Sequence, residues 1–228
     1  MILQLTRPVQ AGIRQERQFE LISNHLANAN STGFKKDILS FDKALEATLT
    51  TDHAQGGIRV TDNPLDLALQ GEGFFKIETA QGMRYTRDGN FTLTDDGQLV
   101  TQIGDAVQGE NGAIILQGNA IRINEDGQIE VDGEIVDTLQ LVHFADLTQL
   151  EKDGQNQFVH KGDGETEEML AGNVAVQQGA LELSNISVVH EMTHMIEMHR
   201  LFETYQKVIH SFDEMDTKVI TEVGRSPA

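Results

Sequence analysis

No glycine or proline interrupts the chain between Ala180 and Val223. Within that run Val189, Met192, Ile196, His199, Phe202, Ile209, Phe212, Val219 and Val223 recur mainly at helical spacing. A helix over 185–222 is predicted, roughly 55 Å long, with Ser184 or Asn185 as its cap. The other end of the chain repeats the pattern. Leu5, Val9, Gly12, Phe19, Ile22, Leu26 and Ala29 predict a helix over 3–30, with Pro8 near its start and Gly33 as its stop. Two apolar stripes of this length would be left exposed on single helices, so packing against each other and against further copies is expected.

Between the two ends the period changes. Short alternating runs are separated by Asp88-Gly89, Asp96-Gly97, Asn111-Gly112, Asp126-Gly127 and Asp132-Gly133, which read as hairpin turns. FTLTDDGQLV (91–100) and IRINEDGQIE (121–130) resemble each other and read as two similar hairpins rather than a solenoid. In Asn63–Phe75 the alternation of Leu65, Leu67 and Leu69, followed by Phe74-Phe75, predicts a buried strand pair. The glycines supply turns; Gly71-Glu72-Gly73 is followed by no helix and is no dinucleotide fingerprint. The fold class expected is α+β: long N- and C-terminal helices pairing as a coiled coil, with a central β-rich, hairpin- or barrel-like domain. The expected organisation is an N-terminal helix and elbow over 1–35, a connecting loop over 36–60, an acidic β-rich domain over 61–178 and a long C-terminal helix over 179–228.

Charge and residue usage exclude several functions. The formal net charge is -19, and residues 61–175 hold 22 acidic against 6 basic side chains. A chain without a basic face is poorly suited to nucleic acid or to anionic lipid. There is no cysteine, so thiol catalysis, disulfides and Cys-bound zinc are excluded. No apolar run reaches signal-peptide or membrane-span length.

One string points to metal chemistry. His190-Glu191-Met192-Thr193-His194 fits H-E-x-x-H, which on a helix offers two imidazoles to zinc and a glutamate as general base. A third ligand is missing where such enzymes need it. Position 197 is Glu197 rather than glycine, position 200 is Arg200, and His199 falls on the opposite face from His190. Glu214 would lie about 30 Å from His194 along a straight helix. Only Glu197 shares the face, so His190, His194 and Glu197 are retained as a weak candidate metal group, without implied activity.

Four segments in order then match a known family. Leu26-Ala27-Asn28-Ala29-Asn30-Ser31-Thr32-Gly33-Phe34-Lys35 resembles the signature near the N-terminus of flagellar basal-body rod and hook axial proteins. Asn63–Phe75, Tyr85–Phe91 and Gly179–Asn185 are similar to its later segments, and Glu191-Met192, Met195-Ile196 and Arg200–Glu203 follow in the family's order. The details are most like the proximal-rod (F-type) branch. The distal-rod and hook-type branches remain as alternatives, and a zinc metalloprotease built on residues 190–194 as a further one. His25 stands where the family usually carries Asn.

The resemblance implies a structural subunit, not an enzyme and without cofactor, assembling helically through its terminal helices into a rigid drive shaft around an export channel. It implies as partners other copies, neighbouring rod proteins and the export apparatus, with neither nucleic acid nor membrane insertion. It implies a place in the periplasmic part of the flagellar basal body after signal-peptide-independent export. Expected assembly residues are Leu26, Asn28, Asn30, Gly33, Phe34, Met192, Ile196, Phe202, Ile209 and Phe212. Gly33 would permit the elbow, and Phe34 would anchor it on a neighbour or stand exposed.

Overall fold

The computed structural model describes residues 2–41, 47–118, 120–161, 168–170 and 174–223. Side chains before residue 12, and those of Phe212, Val219 and Val223, lie outside the described residues. The chain forms two compact units, Asn28–Ile186 and the two ends Met1–Ala27 with Ser187–Ala228.

The first unit is strands and turns with one short 3-10 helix, Leu147–Gln149. Its largest sheet runs Leu150–Lys152, Gln157–His160, Gly82–Thr86, Phe74–Thr79, Ala106–Gly109, Leu99–Thr101 and Phe91–Leu93, with neighbours antiparallel. A three-stranded sheet over Ile121–Ile123, Gln128–Val131 and Glu134–Thr138 lies beside smaller two-stranded pairs. One core gathers Leu67, Leu69, Phe75, Ile77, Phe91, Leu99, Val107, Ile114 and Ile129. A second, aromatic core joins Phe74, Tyr85, Phe144 and Phe158 through edge-to-face contacts.

Four of the five turn signals make hairpins. The two DGQ segments share one frame: Phe91 faces Thr101 as Ile121 faces Val131. In both, the glycine N–H bonds back to the residue three before it, Gly97 to Thr94 O and Gly127 to Asn124 O. Positive φ at Gly97 and Gly127 is what these turns require. Asp88-Gly89 is the exception, because Gly82–Thr86 and Phe91–Leu93 pair with other strands. The Asn63–Phe75 expectation is half right. Leu67, Leu69, Phe74 and Phe75 are buried, but strand Leu67–Gln70 pairs with Ala175–Gln178, not with its chain neighbour Phe74–Thr79. Residues 36–60, expected as a loop, carry the hairpin Asp37–Phe41/Ala47–Thr51 and strand Ile58–Val60.

The second unit holds helices α1 (Ile2–Ala27) and α2 (Val188–Val223). The expected α+β class, with end helices zipped as a coiled coil around a central domain, is corrected. Nineteen strands stand against two α-helices among the described residues, so the fold is mainly β. A coiled coil buries its apolar positions in the seam. Among the described residues of the two helices the buried positions are Gln15, Ile22, His25 and Glu191, three of them polar. Gln15 donates its side-chain N–H to Met198 O at 2.5 Å, and His25 Nδ1 lies 3.4 Å from Glu191 Oε2. Val189, Met192, Ile196, Phe202 and Ile209 all stand exposed. The predicted cap is also corrected: Asn185 Oδ1 accepts from the Lys36 N–H instead of a helix amide.

Candidate functional site

Three motif segments far apart in the chain meet inside the β-rich unit. Gly33 turns the chain after α1 with φ +65°, and its N–H donates to Glu182 O. The following residues run alongside Glu182, so Lys35 Nζ reaches Glu182 Oε1 at 2.6 Å and Ala54 O at 2.8 Å. The Gly56 N–H donates to the same carboxylate oxygen at 2.9 Å. From the other side Arg87 Nη1 approaches Glu182 Oε2 at 3.4 Å while its Nη2 donates to Gly71 O at 2.6 Å. The Arg87 guanidinium lies over the Phe74 ring. Neither Lys35 nor Glu182 exposes any side-chain surface.

The electrostatics follow from this burial. Desolvation lowers the Lys35 ammonium from its usual range, and the Glu182 carboxylate partly offsets the shift. Desolvation likewise lowers Arg87 against the pull of Glu182. Asp88 next door is raised by burial and partly restored by the Thr32 hydroxyl, which donates to it at 2.7 Å. Around the knot, Asn185 donates to Asp52 O, Asn156 to Thr32 O, and Lys152 to Lys35 O and Asp37. The Lys35, Arg87 and Glu182 side chains are closed to solvent and pair with each other. The junction can clamp chain segments together; it offers no surface to a substrate.

The expected assembly residues divide. Gly33 is buried in the turn, where a Cβ would come within 2.5 Å of Arg87 and Asp88 backbone atoms. Phe34 is buried beneath Lys152, whose Nζ lies 4.6 Å from the ring centroid, so it is neither exposed nor presented to a neighbour. Asn28 accepts from Ser31 Oγ, Leu26 is half-buried, and Asn30 is exposed. Met192, Ile196, Phe202 and Ile209 are exposed on α2; the Phe212 side chain lies outside the described residues. Lys35, Arg87 and Glu182 were invisible as a group in the sequence, although each sits inside a matched motif. The available signal was a charged residue embedded in an otherwise apolar or turn-forming motif.

The metal candidate is not gathered. His190 and His194 stack with ring centroids 5.6 Å apart on the exposed side of α2. Glu191 is turned inward to His25. Among the described residues no three His, Asp or Glu side chains are placed to hold one ion.

Comparison with known proteins places the chain in a family. Residues 68–131 match the model described as flagellar hook protein FlgE/F/G D1 domain. Residues 177–222 match flagellar basal body rod FlgEFG protein C-terminal. The chain is 31% identical to the flagellar basal-body rod protein FlgF of Caulobacter vibrioides over 229 aligned residues, covering 92% of this chain and 93% of the relative. FlgF of Rhizobium meliloti is 30% identical over 226 residues, 92% of this chain and 93% of its own. FlgG of Caulobacter vibrioides is 32% identical over 256 residues, 93% of this chain and 97% of the relative. The chain belongs to the flagellar basal-body rod protein family.

Proposed function

We propose that this chain is a structural subunit of the bacterial flagellar basal-body rod, of the FlgF-like proximal kind. The near full-length match to rod proteins carries the reading. Alignment length favours FlgF within the family. For nearly the same share of this chain, FlgF spans 226 to 229 aligned positions and FlgG of Caulobacter vibrioides spans 256. FlgG therefore carries insertions that this chain lacks. The similar identity to FlgG keeps a distal-rod role as the second reading.

In this reading residues 1–35 and 179–228 serve the axial core, 61–178 the outer layer, and 36–60 the connection between them. The helical unit supports it with an open, mainly apolar groove of about 530 Å³, with Ile13, Phe19, Met198 and Phe202 on its walls beside Gln15, Glu16 and His199. Met192, Ile196 and Ile209 are further exposed apolar side chains on α2. Helices of neighbouring copies and of other rod proteins would cover them, and burial at about 25 cal/mol per Å² would drive addition to the growing end. A contact between unlike surfaces that never closes builds a filament. Leu26 and Asn30, at the end of α1 and just beyond it, would extend the contact. The role read from the rod-protein relatives is structural, and the glutamate that a metalloprotease would use lies 3.4 Å from His25. The subunit would reach the periplasmic basal body through the flagellar export apparatus.

Deleting the coding sequence tests this. Loss of swimming with basal bodies that stop at the rod, both restored by the wild-type chain, is expected. Normal rods in the deletion strain would contradict it.

A further inference from the structure

His190 and His194 have no part in the packing described above, yet their geometry gives them a capacity of their own. The two imidazoles lie one helical turn apart, stacked with planes at 26° and centroids at 5.6 Å. Both are exposed. Successive helix residues turn by about 100°, so positions 190 and 194 share one narrow strip of α2. Glu191 leaves that strip and is held against His25, so no carboxylate between the histidines competes for them. A helix already formed brings both nitrogens together before any ion arrives, which removes most of the ordering cost of chelation.

Imidazole selects borderline divalent ions over magnesium or calcium, in the order Cu²⁺ above Ni²⁺ and Zn²⁺. We infer that His190 and His194 form a two-histidine site for a divalent transition-metal ion. The site is open on its outer side, and water completes the coordination. Glu197 lies on the same strip one turn further on, but the three side chains do not converge on one point. It acts through water at most. His199 sits on the opposite face and pairs with Glu203 at 3.5 Å, so it stands apart from the site. The bound ion clamps the first two turns of α2; it creates no hydrolytic centre, because the inward-turned Glu191 cannot serve as a base.

Titration of the full chain with Cu²⁺, Ni²⁺, Zn²⁺ and Mg²⁺ by calorimetry tests this. One saturable equivalent is expected for Cu²⁺, weaker binding for Ni²⁺ and Zn²⁺, and none for Mg²⁺. His190→Ala and His194→Ala should each weaken Cu²⁺ binding by about tenfold or more, the loss of one of two ligands. His199→Ala and Glu197→Gln should change it by less than about threefold. Alanine favours helix, and circular dichroism checks that α2 persists in each variant. A second measurement is independent of the variants: substoichiometric Cu²⁺ should broaden the imidazole resonances of His190 and His194 before those of His199 and His210. Absence of saturable Cu²⁺ binding, equal loss in His199→Ala, or broadening centred elsewhere would overturn the assignment.

Discussion

Lys35 Nζ lies 2.6 Å from Glu182 Oε1, 147 residues apart in the chain and with neither side chain exposed. Arg87 shares the same carboxylate. One acid thus neutralises two buried cations that three motif segments bring together. Removing the shared acid should cost more than removing either base. Glu182→Gln is expected to destabilise the chain by about 3–5 kcal/mol, since it removes the one carboxylate in direct contact with both buried cations. Lys35→Met leaves Arg87 still paired and should cost about 1–3 kcal/mol. Urea unfolding measures both, and the reverse ranking would contradict the account.

The turn into this junction depends on a missing Cβ. Gly33 has φ +65°, and a Cβ there would sit 2.4 Å from the Asp88 backbone nitrogen. Backbone cannot swing aside as a side chain can. Gly104 also has positive φ, at +96°, but nothing lies within 4 Å of its added Cβ. Gly104→Ala should therefore cost about 1 kcal/mol, the conformational strain alone. Gly33→Ala should cost at least about twice that. Thermal melts of the two variants side by side provide the check.

His53 gives the β-rich unit a pH dependence. It packs against Phe74 and Phe158. Burial, aided by the charges of Lys35, Arg87 and Lys152, pushes its imidazole down to about 4. In the unfolded chain a histidine protonates near 6.5. Between those values the unfolded state binds more protons, so stability rises with pH there. The contribution is complete above about pH 6.5 and is lost as the pH falls through about 4. His53→Leu should flatten the stability profile between pH 7 and 4.5 relative to wild type. An unchanged slope would show that His53 is not held neutral.

Local signals in the sequence led to local structure. Asp96-Gly97 and Asp126-Gly127 predict their hairpins because a positive-φ turn is specified by two adjacent residues. The glycine-free run after Ala180 predicts a helix for a similar reason, since each turn is set by residues three and four apart. Pairings set at long range were not legible. Nothing within Leu67–Gln70 says that its partner is Ala175–Gln178, and nothing near Lys35 points to Glu182. The helix seam misled for a different reason. The stripes are truly apolar, but Gln15, His25 and Glu191 take three of the four buried helix positions among the described residues, and Met192, Ile196 and Phe202 stand outside. A stripe shows that a face needs cover; it does not name what covers it.

That exposed face is where the rod reading is most directly testable. The full chain carrying Met192→Asp, Ile196→Asp and Phe202→Asp would be expressed in the deletion strain, and purified basal bodies examined for its presence by mass spectrometry. All three side chains are exposed in the single chain, so the purified variant should melt close to wild type. The account predicts that the variant is made and folded yet absent from basal bodies, and that the cells do not swim. Normal incorporation and normal swimming would contradict it.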